Sequence, residues 1–402
     1  MKHLKINNYN LALLQEKSKL YAYLNGKLDK VCFKLLENEF VVALNSSDGE
    51  ILTTLEVEYE NGSAPEQTAL YFSTDYQKWA TTLQKFNGAD ALHISLGESI
   101  MRVKMEGSSD VITLSLIYYD EGSQQADTIT RFISSRRDTI KAFNHKLVLT
   151  PEILADFDLV GNLFTTQGRI NAIGVSSTDV MYSDRSVVVK TNLDEALPDV
   201  LFDNLTGGDN HIQIHSYILK LLDLLSDFNT EVWFDSDYEV LYWADEHSEL
   251  VISSDARVLA LPTPEQFESI KPINKDTYFD VNIDLLRTSL TFFTGFYDGD
   301  TWKPVTFVLN KGEDIILRYQ KPTADITKAL TDVKSPFNCT FSVDSETLRK
   351  ILQKIRDRYP NDNLTVRFNC DDDTVSSEDE APGVYCTVGT NYEFNVCKLR
   401  DD

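Results

Sequence analysis

The sequence is poor in cysteine and in basic residues, and it contains no long apolar run. Only five of its 402 residues are cysteine, an odd number without the Cys-x-x-Cys spacing of a metal site. These cysteines are expected to be free thiols in a reducing compartment. The chain has 38 Lys and Arg against 63 Asp and Glu, a formal charge of −25. A surface this acidic repels phosphate, which excludes the simplest class of nucleic-acid binder unless the basic residues gather on one face.

Membrane and catalytic signatures are also missing. No apolar segment approaches the roughly 18 residues that a membrane span needs, and the first residues lack the apolar core of a signal peptide. The phosphate-binding pattern GxxxxGK[ST] is absent, as are GxGxxG, GxSxG and HExxH. We therefore expect a cytoplasmic globular protein that has no catalytic activity, cofactor, metal or membrane partner.

Two groups of residues could ligate a metal ion, but a strand and an acidic loop explain them better. His211 and His215 are four residues apart, but the alternating segment HIQIH predicts a strand, and a third ligand is missing. The run Asp371, Asp372 and Asp373 is followed by further acidic residues as far as Glu380. Such a run is typical of a solvated acidic loop between two strands, because its charges repel one another.

An internal repeat is the most informative feature that is present. A helical segment accompanied by several strand-like segments recurs six times, at intervals of about 60 residues. The predicted helices span residues 6–20, 75–86, 151–164, 216–228, 283–293 and 345–359. Strand segments such as Met101, Val103 and Met105 alternate with polar residues, which predicts sheets with one buried face. The sequence thus predicts an α+β fold of three tandem domains, 1–127, 128–258 and 259–402, each with two helices packed on antiparallel sheets.

The scarce basic residues concentrate on these helices and on the connector between the first two domains. A solvated helix surface explains any single one of them, but their recurrence on equivalent helices favours a DNA-binding surface. The candidates on the helices are Lys17, Lys19, Lys78, Lys85, Lys220, Arg287, Arg349, Lys350, Lys354 and Arg356, and those on the connector are Arg136 and Arg137.

This organisation resembles the ring-shaped DNA sliding clamp, in the three-domain beta-clamp form of bacteria and some of their phages. The segment 261–272, LPTPEQFESIKP, is similar to the family's connector between its second and third domains. Ser342-Val343-Asp344 opens the last helix as in the family's final repeat, and Thr178-Asp179 resembles a Thr-Asp step of the family. Residues 395–399 depart from the family's Met-Pro-rich final strand, and helix 151–164 has no basic residue. These departures favour a phage source.

The resemblance implies a DNA polymerase processivity factor without enzymatic activity. Two chains would form a homodimeric ring around double-stranded DNA, in the cytoplasm of a bacterial cell or phage-infected host, with the basic helix residues near the phosphates. DNA polymerase and the clamp loader would dock short linear peptides in an apolar pocket. By position, the pocket residues would be Thr178, Met181, Pro262, Phe267, Ile270, Val396 and Leu399.

Two other function classes are compatible with the composition. One is an acidic protein-interaction or DNA-mimic protein that binds basic partners through its negative surface. The other is a hydrolase built from scattered carboxylates, which no motif supports.

Overall fold

The computed structural model describes most of the chain. The described residues are 2–24, 29–46, 49–60, 69–124, 126, 145–161, 172–183, 187–198, 202, 211–234, 240–253, 264–269, 271, 277–297, 303–321, 324–370 and 383–397. The connector that carries Arg136 and Arg137 lies outside them, as do the acidic run 371–380 and three of the predicted pocket residues, Pro262, Ile270 and Leu399.

Within these residues the structure has seven α-helices and 26 strands. The helices are α1 Asn8–Lys17, α2 Tyr76–Lys85, α3 Pro151–Gly161, α4 Ser216–Ser226, α5 Pro264–Ser269, α6 Ile283–Phe293 and α7 Ser345–Arg358, and short 3-10 helices span Ser18–Tyr23 and Thr294–Phe296.

The strands up to the end of the third repeat are β1 Lys2–Asn7, β2 Lys30–Leu35, β3 Glu39–Asn45, β4 Gly49–Glu56, β5 Glu58–Tyr59, β6 Leu70–Asp75, β7 Ala91–Leu96, β8 Ile100–Met105, β9 Val111–Ser115, β10 Ile117–Tyr119, β11 His145–Val148, β12 Ala172–Val175, β13 Asp179–Ser183 and β14 Val187–Asn192. The remaining strands are β15 Ile212–His215, β16 Glu231–Phe234, β17 Val240–Ala244, β18 Ser248–Ser253, β19 Tyr278–Asn282, β20 Pro304–Leu309, β21 Asp314–Lys321, β22 Ala324–Lys334, β23 Cys339–Asp344, β24 Thr365–Asn369, β25 Gly383–Val388 and β26 Tyr392–Cys397.

One plan of secondary structure occurs six times. Each repeat has an opening strand, a helix and then a three-stranded antiparallel meander, as in β1, α1 and β2-β3-β4. The opening strand pairs with the meander of the neighbouring repeat: β1 adds to β7-β8-β9, and β6 adds to β2-β3-β4. This exchange is repeated by β11 with β16, β15 with β12, β19 with β24 and β23 with β20. The prediction of an α+β fold with helices on antiparallel sheets is therefore confirmed.

Two meander pairs are joined edge to edge into larger sheets. Strands β4 and β18 pair antiparallel inside a nine-stranded sheet, and β14 and β26 pair antiparallel inside an eight-stranded sheet. We call these two junctions the internal seams. The first seam depends on Gly49, because a Cβ atom there would lie 2.6 Å from the carbonyl oxygen of Val251 on β18. A side chain at this position would push the two strands apart.

The sheets are distributed over two compact units. The first unit, residues 1–150 and 220–255, holds the nine-stranded sheet and a five-stranded sheet in the order β5-β1-β7-β8-β9. The second unit, residues 151–219 and 256–402, holds the eight-stranded sheet and a four-stranded sheet in the order β22-β21-β20-β23. The three domain boundaries expected from the sequence remain a prediction.

The helices begin where the opening strands end. In four repeats the last residue of the strand caps the following helix through its side-chain oxygen, which satisfies a backbone N–H that the helix leaves free. The capping residues are Asn7, Asp75, Asn282 and Asp344. Each helix then buries an apolar stripe, for example Leu348, Ile351, Leu352 and Ile355 of α7. The opposite helix surface is left for polar residues. Among the described residues, no helix is long and apolar enough to cross a membrane.

Candidate nucleic-acid interface and partner pocket

Four of the predicted DNA-contacting lysines have exposed side chains. They are Lys19, which follows α1, Lys78 and Lys85 on α2, and Lys220 on α4. Within the part of the chain that the structure describes, none of the four forms an ion pair. Lys78 and Lys85 are seven residues apart, so they lie two turns apart on the same face of α2. These four cations remain available to an external anion.

A groove between α1 and α2 brings one of these lysines close to polar side chains. Lys19 lines it together with Gln15, Gln84 and Asn87. The amide of Gln15 donates a hydrogen bond of 3.0 Å to the carbonyl oxygen of Leu83, which fixes the two helices side by side. Glu16 also lines the groove, so its charged lining is one lysine and one glutamate, and any net positive charge here comes only from the lysines outside it.

The structure corrects the prediction for Lys17. Its side chain is 1% exposed and donates a hydrogen bond to Asp245, with its ammonium 3.2 Å from the centroid of the Phe228 ring. Burial lowers the pKa of Lys17, although the hydrogen bond to Asp245 opposes that effect. A buried lysine that is already paired cannot reach DNA. Lys17 instead fixes the end of α1 to the turn between β17 and β18.

The basic residues of α7 are mostly paired with carboxylates. Lys350 lies 3.2 Å from Glu346 on the same helix, and Lys354 lies 2.7 Å from Asp158 on α3. Arg356 lies 2.9 Å from Asp284 on α6, and Arg287 of α6 bonds to Gln353 and contacts Asp284. The local positive charge that the sequence suggests is thus largely compensated. Arg349 is half-buried, and none of the described residues forms an ion pair with it.

At its end, α7 is held by a buried acidic residue. Arg358 lies 2.6 Å from Asp194 and 3.4 Å from Asp156, whose side chain is 1% exposed. Burial raises the pKa of Asp156, although the backbone N–H of Asp194 and the charge of Arg358 both favour its ionised form. This cluster ties α7 to α3 and to the segment after β14, so Arg358 has a structural role.

Two of the residues predicted for the partner pocket, Met181 and Phe267, lie near the second internal seam. Register pairs Met181 with Lys190 and Lys190 with Glu393, so these three side chains share one face of the sheet. Phe267 of α5 lies against the same face, with its ring centroid 5.5 Å from Lys190 Nζ and 5.3 Å from Lys271 Nζ. Met181 and Phe267 therefore both lie beside Lys190, and both are buried, while their role in partner binding remains a prediction.

Val396 does not join this group. It pairs with Val187 and is three residues beyond Glu393, so its side chain lies on the opposite, helix-covered face of the sheet. Side chains alternate faces along a strand, and this register excludes Val396 from the pocket. Thr178 is exposed in the turn before β13.

The charged residues around Phe267 were missed by the sequence analysis. Lys271 lies 2.7 Å from Glu268 and 3.1 Å from Glu393, which anchors the segment after α5 to β26. Lys190 lies 3.4 Å from Asp179. A lysine four residues after Phe267 was a visible signal, but its partner on β26 is more than 120 residues away. Phe267 is thus flanked by two lysines that contact its ring.

His211 and His215 belong to no candidate metal site, because no group of three His, Cys, Asp or Glu side chains that could hold a metal ion occurs among the described residues. His211 Nε2 lies 3.3 Å from Asp179 Oδ1, an interaction across the end of β12, which separates β13 from β15 in the sheet. His215 ends β15.

Comparison with known proteins supports a fold assignment. No protein-family model and no curated protein matches the sequence. Solved structures do match over the full length. The DNA polymerase III subunit beta from Pseudomonas aeruginosa has a TM-score of 0.69 at 13% identity, covering 99% of this chain and all of that one. A putative DNA polymerase III beta subunit from Eubacterium rectale has a TM-score of 0.69 at 11% identity, with complete coverage of both chains.

A third structure is described as a sliding clamp. The DNA polymerase sliding clamp from Pseudomonas aeruginosa, crystallised with a ligand, has a TM-score of 0.67 at 13% identity and full coverage of both chains. At identities this low, the matches show that the folds are similar. They do not identify the residues of a functional site, which have to be inferred from this protein's own structure. The chain therefore has the fold of the beta sliding clamps over its entire length.

Proposed function

We propose that the protein is a DNA sliding clamp, a processivity factor that encircles duplex DNA and tethers a polymerase without catalysing a reaction. The observation that carries the proposal is the sixfold repeat with two internal seams and with two meander-end strands, β9 and β22, that each keep one free edge in the described part of the chain. Full-length similarity to sliding clamps supports it. The net charge of −25 fits a ring that needs no strong contact, because topology rather than affinity holds it on DNA.

The free edges of β9 and β22 support ring closure between two chains. Each internal seam joins the last strands of two meanders, and β9 and β22 are the remaining last strands. In the described part of the chain both are sheet edges. An exposed edge is an unsatisfied pairing site. Strand β9 of one copy would pair with β22 of the other, and two such seams would close a head-to-tail homodimer.

Apolar residues beside these edges fit the same interface. Val111 on β9 is 51% exposed, and Phe292 on α6 is 45% exposed. Phe292 lies next to β22, with the ammonium of Lys328 5.0 Å from its ring centroid. Phe296 is also exposed, and its ring contacts that of Phe292 at an angle of 56°. Exposed aromatic side chains next to a free strand edge are typical of a protein interface.

Peptides of the polymerase and the clamp loader would dock beside Met181 and Phe267, which are 2% and 3% exposed, so Lys190 and Lys271 would have to move off the Phe267 ring for a peptide to reach it. The two lysines that contact the Phe267 ring are already paired with Asp179, Glu268 and Glu393, so apolar anchors rather than charge would select the peptide. Affinity would come from a few such anchors, as in other recognition of short peptides.

DNA would contact the exposed lysines of the helices rather than the paired cations of α7. Reversing charge at two of them, Lys78→Glu and Lys85→Glu, is expected to lower duplex affinity. The plot of log association constant against log salt concentration should become less steep by about 0.9 for each lost phosphate contact, and so by nearly two for the double variant. Fluorescence anisotropy with a short labelled duplex at several salt concentrations measures both quantities.

The matched control is Lys104→Glu together with Lys30→Glu. Both lysines are exposed on strands instead of helices. The control changes net charge by the same amount, so an equal loss of affinity would contradict a helix-borne interface. The alternative, an acidic DNA mimic, predicts no loss with either variant and unchanged capture of a basic protein.

A further inference from the structure

The acidic residues of α3 have partners on α7. Helix α3 carries Glu152, Asp156 and Asp158, and it has no basic residue. Asp158 lies 2.7 Å from Lys354, and Asp156 lies 3.4 Å from Arg358. The acidic character of α3 is thus matched to the basic character of α7. Helix α3 carries only negative charges and α7 carries an excess of positive ones. The net charge of the two helices together is therefore close to zero.

We propose that Asp158 is a positioning residue that withholds Lys354 from DNA and thereby weakens the grip of the clamp. The proposal rests on the proposed function, since it presumes that these helices face DNA. Lys354 is 30% exposed at its side chain and Asp158 is 49% exposed, so the pair is open to competition by a phosphate. Asp158 also places a negative charge beside any phosphate that approaches.

A weak grip suits a ring that must slide. Every lysine that pairs with a phosphate adds a contact to be broken at each step along the duplex, while topology already prevents dissociation. A carboxylate that is paired with the lysine keeps the lysine from binding a phosphate until the ion pair breaks. The same reasoning extends to Asp284, which holds Arg356 at 2.9 Å.

The test is the variant Asp158→Asn, which keeps the size of the side chain and removes its charge. Duplex affinity at about 50 mM salt is expected to rise about 3- to 10-fold, the range for an exposed ion pair replaced by one phosphate contact. The slope of log K against log salt should become steeper by about 0.9. The probe is a labelled duplex in fluorescence anisotropy with the full chain.

Glu152→Gln is the matched control, because Glu152 is exposed on the same helix and forms no ion pair with a described residue. It is expected to raise affinity less and to leave the slope unchanged. The second variant is Lys354→Ala, which should have little effect alone but should cancel the gain in the Asp158→Asn background.

The proposal is overturned if Asp158→Asn behaves like Glu152→Gln, or if its gain survives Lys354→Ala. Failure of the proposed function gives a different result. In that case the unaltered protein would not be retained on circular DNA, whatever the charge variants do to its affinity for short duplexes.

Discussion

Replacing Phe292 by glutamate is expected to split the proposed dimer into single chains. The ring of Phe292 is 45% exposed beside β22, where a second copy would cover it. Fully burying a phenylalanine contributes about 2 kcal/mol, so covering the exposed 45% of this side chain contributes about 1 kcal/mol. A head-to-tail ring contains this side chain in both of its seams, so one substitution removes about 2 kcal/mol in total. The dissociation constant should rise at least on the order of 30-fold, and further because the glutamate must also lose its hydration.

Sedimentation equilibrium over a dilution series measures this change. Val148→Glu is the control, because Val148 is 43% exposed on β11, another strand edge outside the proposed interface. Thermal unfolding monitored by circular dichroism checks that both variants fold. If Phe292→Glu and Val148→Glu have the same dissociation constant as the unaltered protein, the proposed pairing of β9 with β22 is wrong.

Replacing Glu50 by glutamine is expected to stabilise the protein at pH 8 by about 3 to 5 kcal/mol. Glu50 lies on β4 in the first internal seam, opposite Val251 of β18 and Asn45 of β3. Its side chain is 1% exposed, and neither carboxyl oxygen has a hydrogen-bond partner in the described structure. Burial raises the pKa of Glu50 from 4.5 to about 8.

The sign follows from proton binding. The folded protein keeps a proton on Glu50 up to about pH 8, whereas the unfolded chain loses it near pH 4.5. The free energy of unfolding therefore falls between these two pH values, by about 1.4 kcal/mol for each pH unit. Glutamine cannot ionise, so the variant should lack this decline and should match the unaltered protein below pH 4.5.

Urea unfolding at pH 4.5, 6 and 8 compares Glu50→Gln with Glu56→Gln, which changes an exposed glutamate on the same strand. The profile of Glu56→Gln should stay parallel to that of the unaltered protein. A parallel profile for Glu50→Gln would show that Glu50 is ionised in the folded state.

The local pattern of the sequence predicts the helices well. All six predicted helices are present, and the helix predicted over 283–293 has the same first and last residues as α6. Helices are predictable because apolar spacing and a capping residue are local signals in the sequence. The weak points are edge strands. Strand β22, ADITKALTDVK, is long but carries charged residues along much of its length, so it lacks the dense apolar alternation of a core strand. Strand β1, KHLKIN, has the same mixed character, and its last two residues fall inside the predicted helix 6–20.

The site is less predictable, since its charges are balanced by residues far away in sequence. A local count over α7 gives a positive helix, yet Asp158 lies 196 residues before Lys354. The sequence around Lys17 predicts a surface lysine, but contacts with Asp245 and Phe228 bury it in the folded chain. Val396 fails for another reason: the register of β14 against β26 decides which face it occupies, and only tertiary pairing sets that register.

Topological retention on DNA tests the central claim most directly. The protein is mixed with linear plasmid, the plasmid is ligated into circles, and the mixture is gel-filtered at a salt concentration that screens ionic contacts. We predict that protein with twice the 45.7 kDa chain mass elutes with the circles, and that cutting each circle once releases it. Retention that is the same before and after cutting, or a single-chain mass with no retention on circles, would contradict a clamp that encircles DNA.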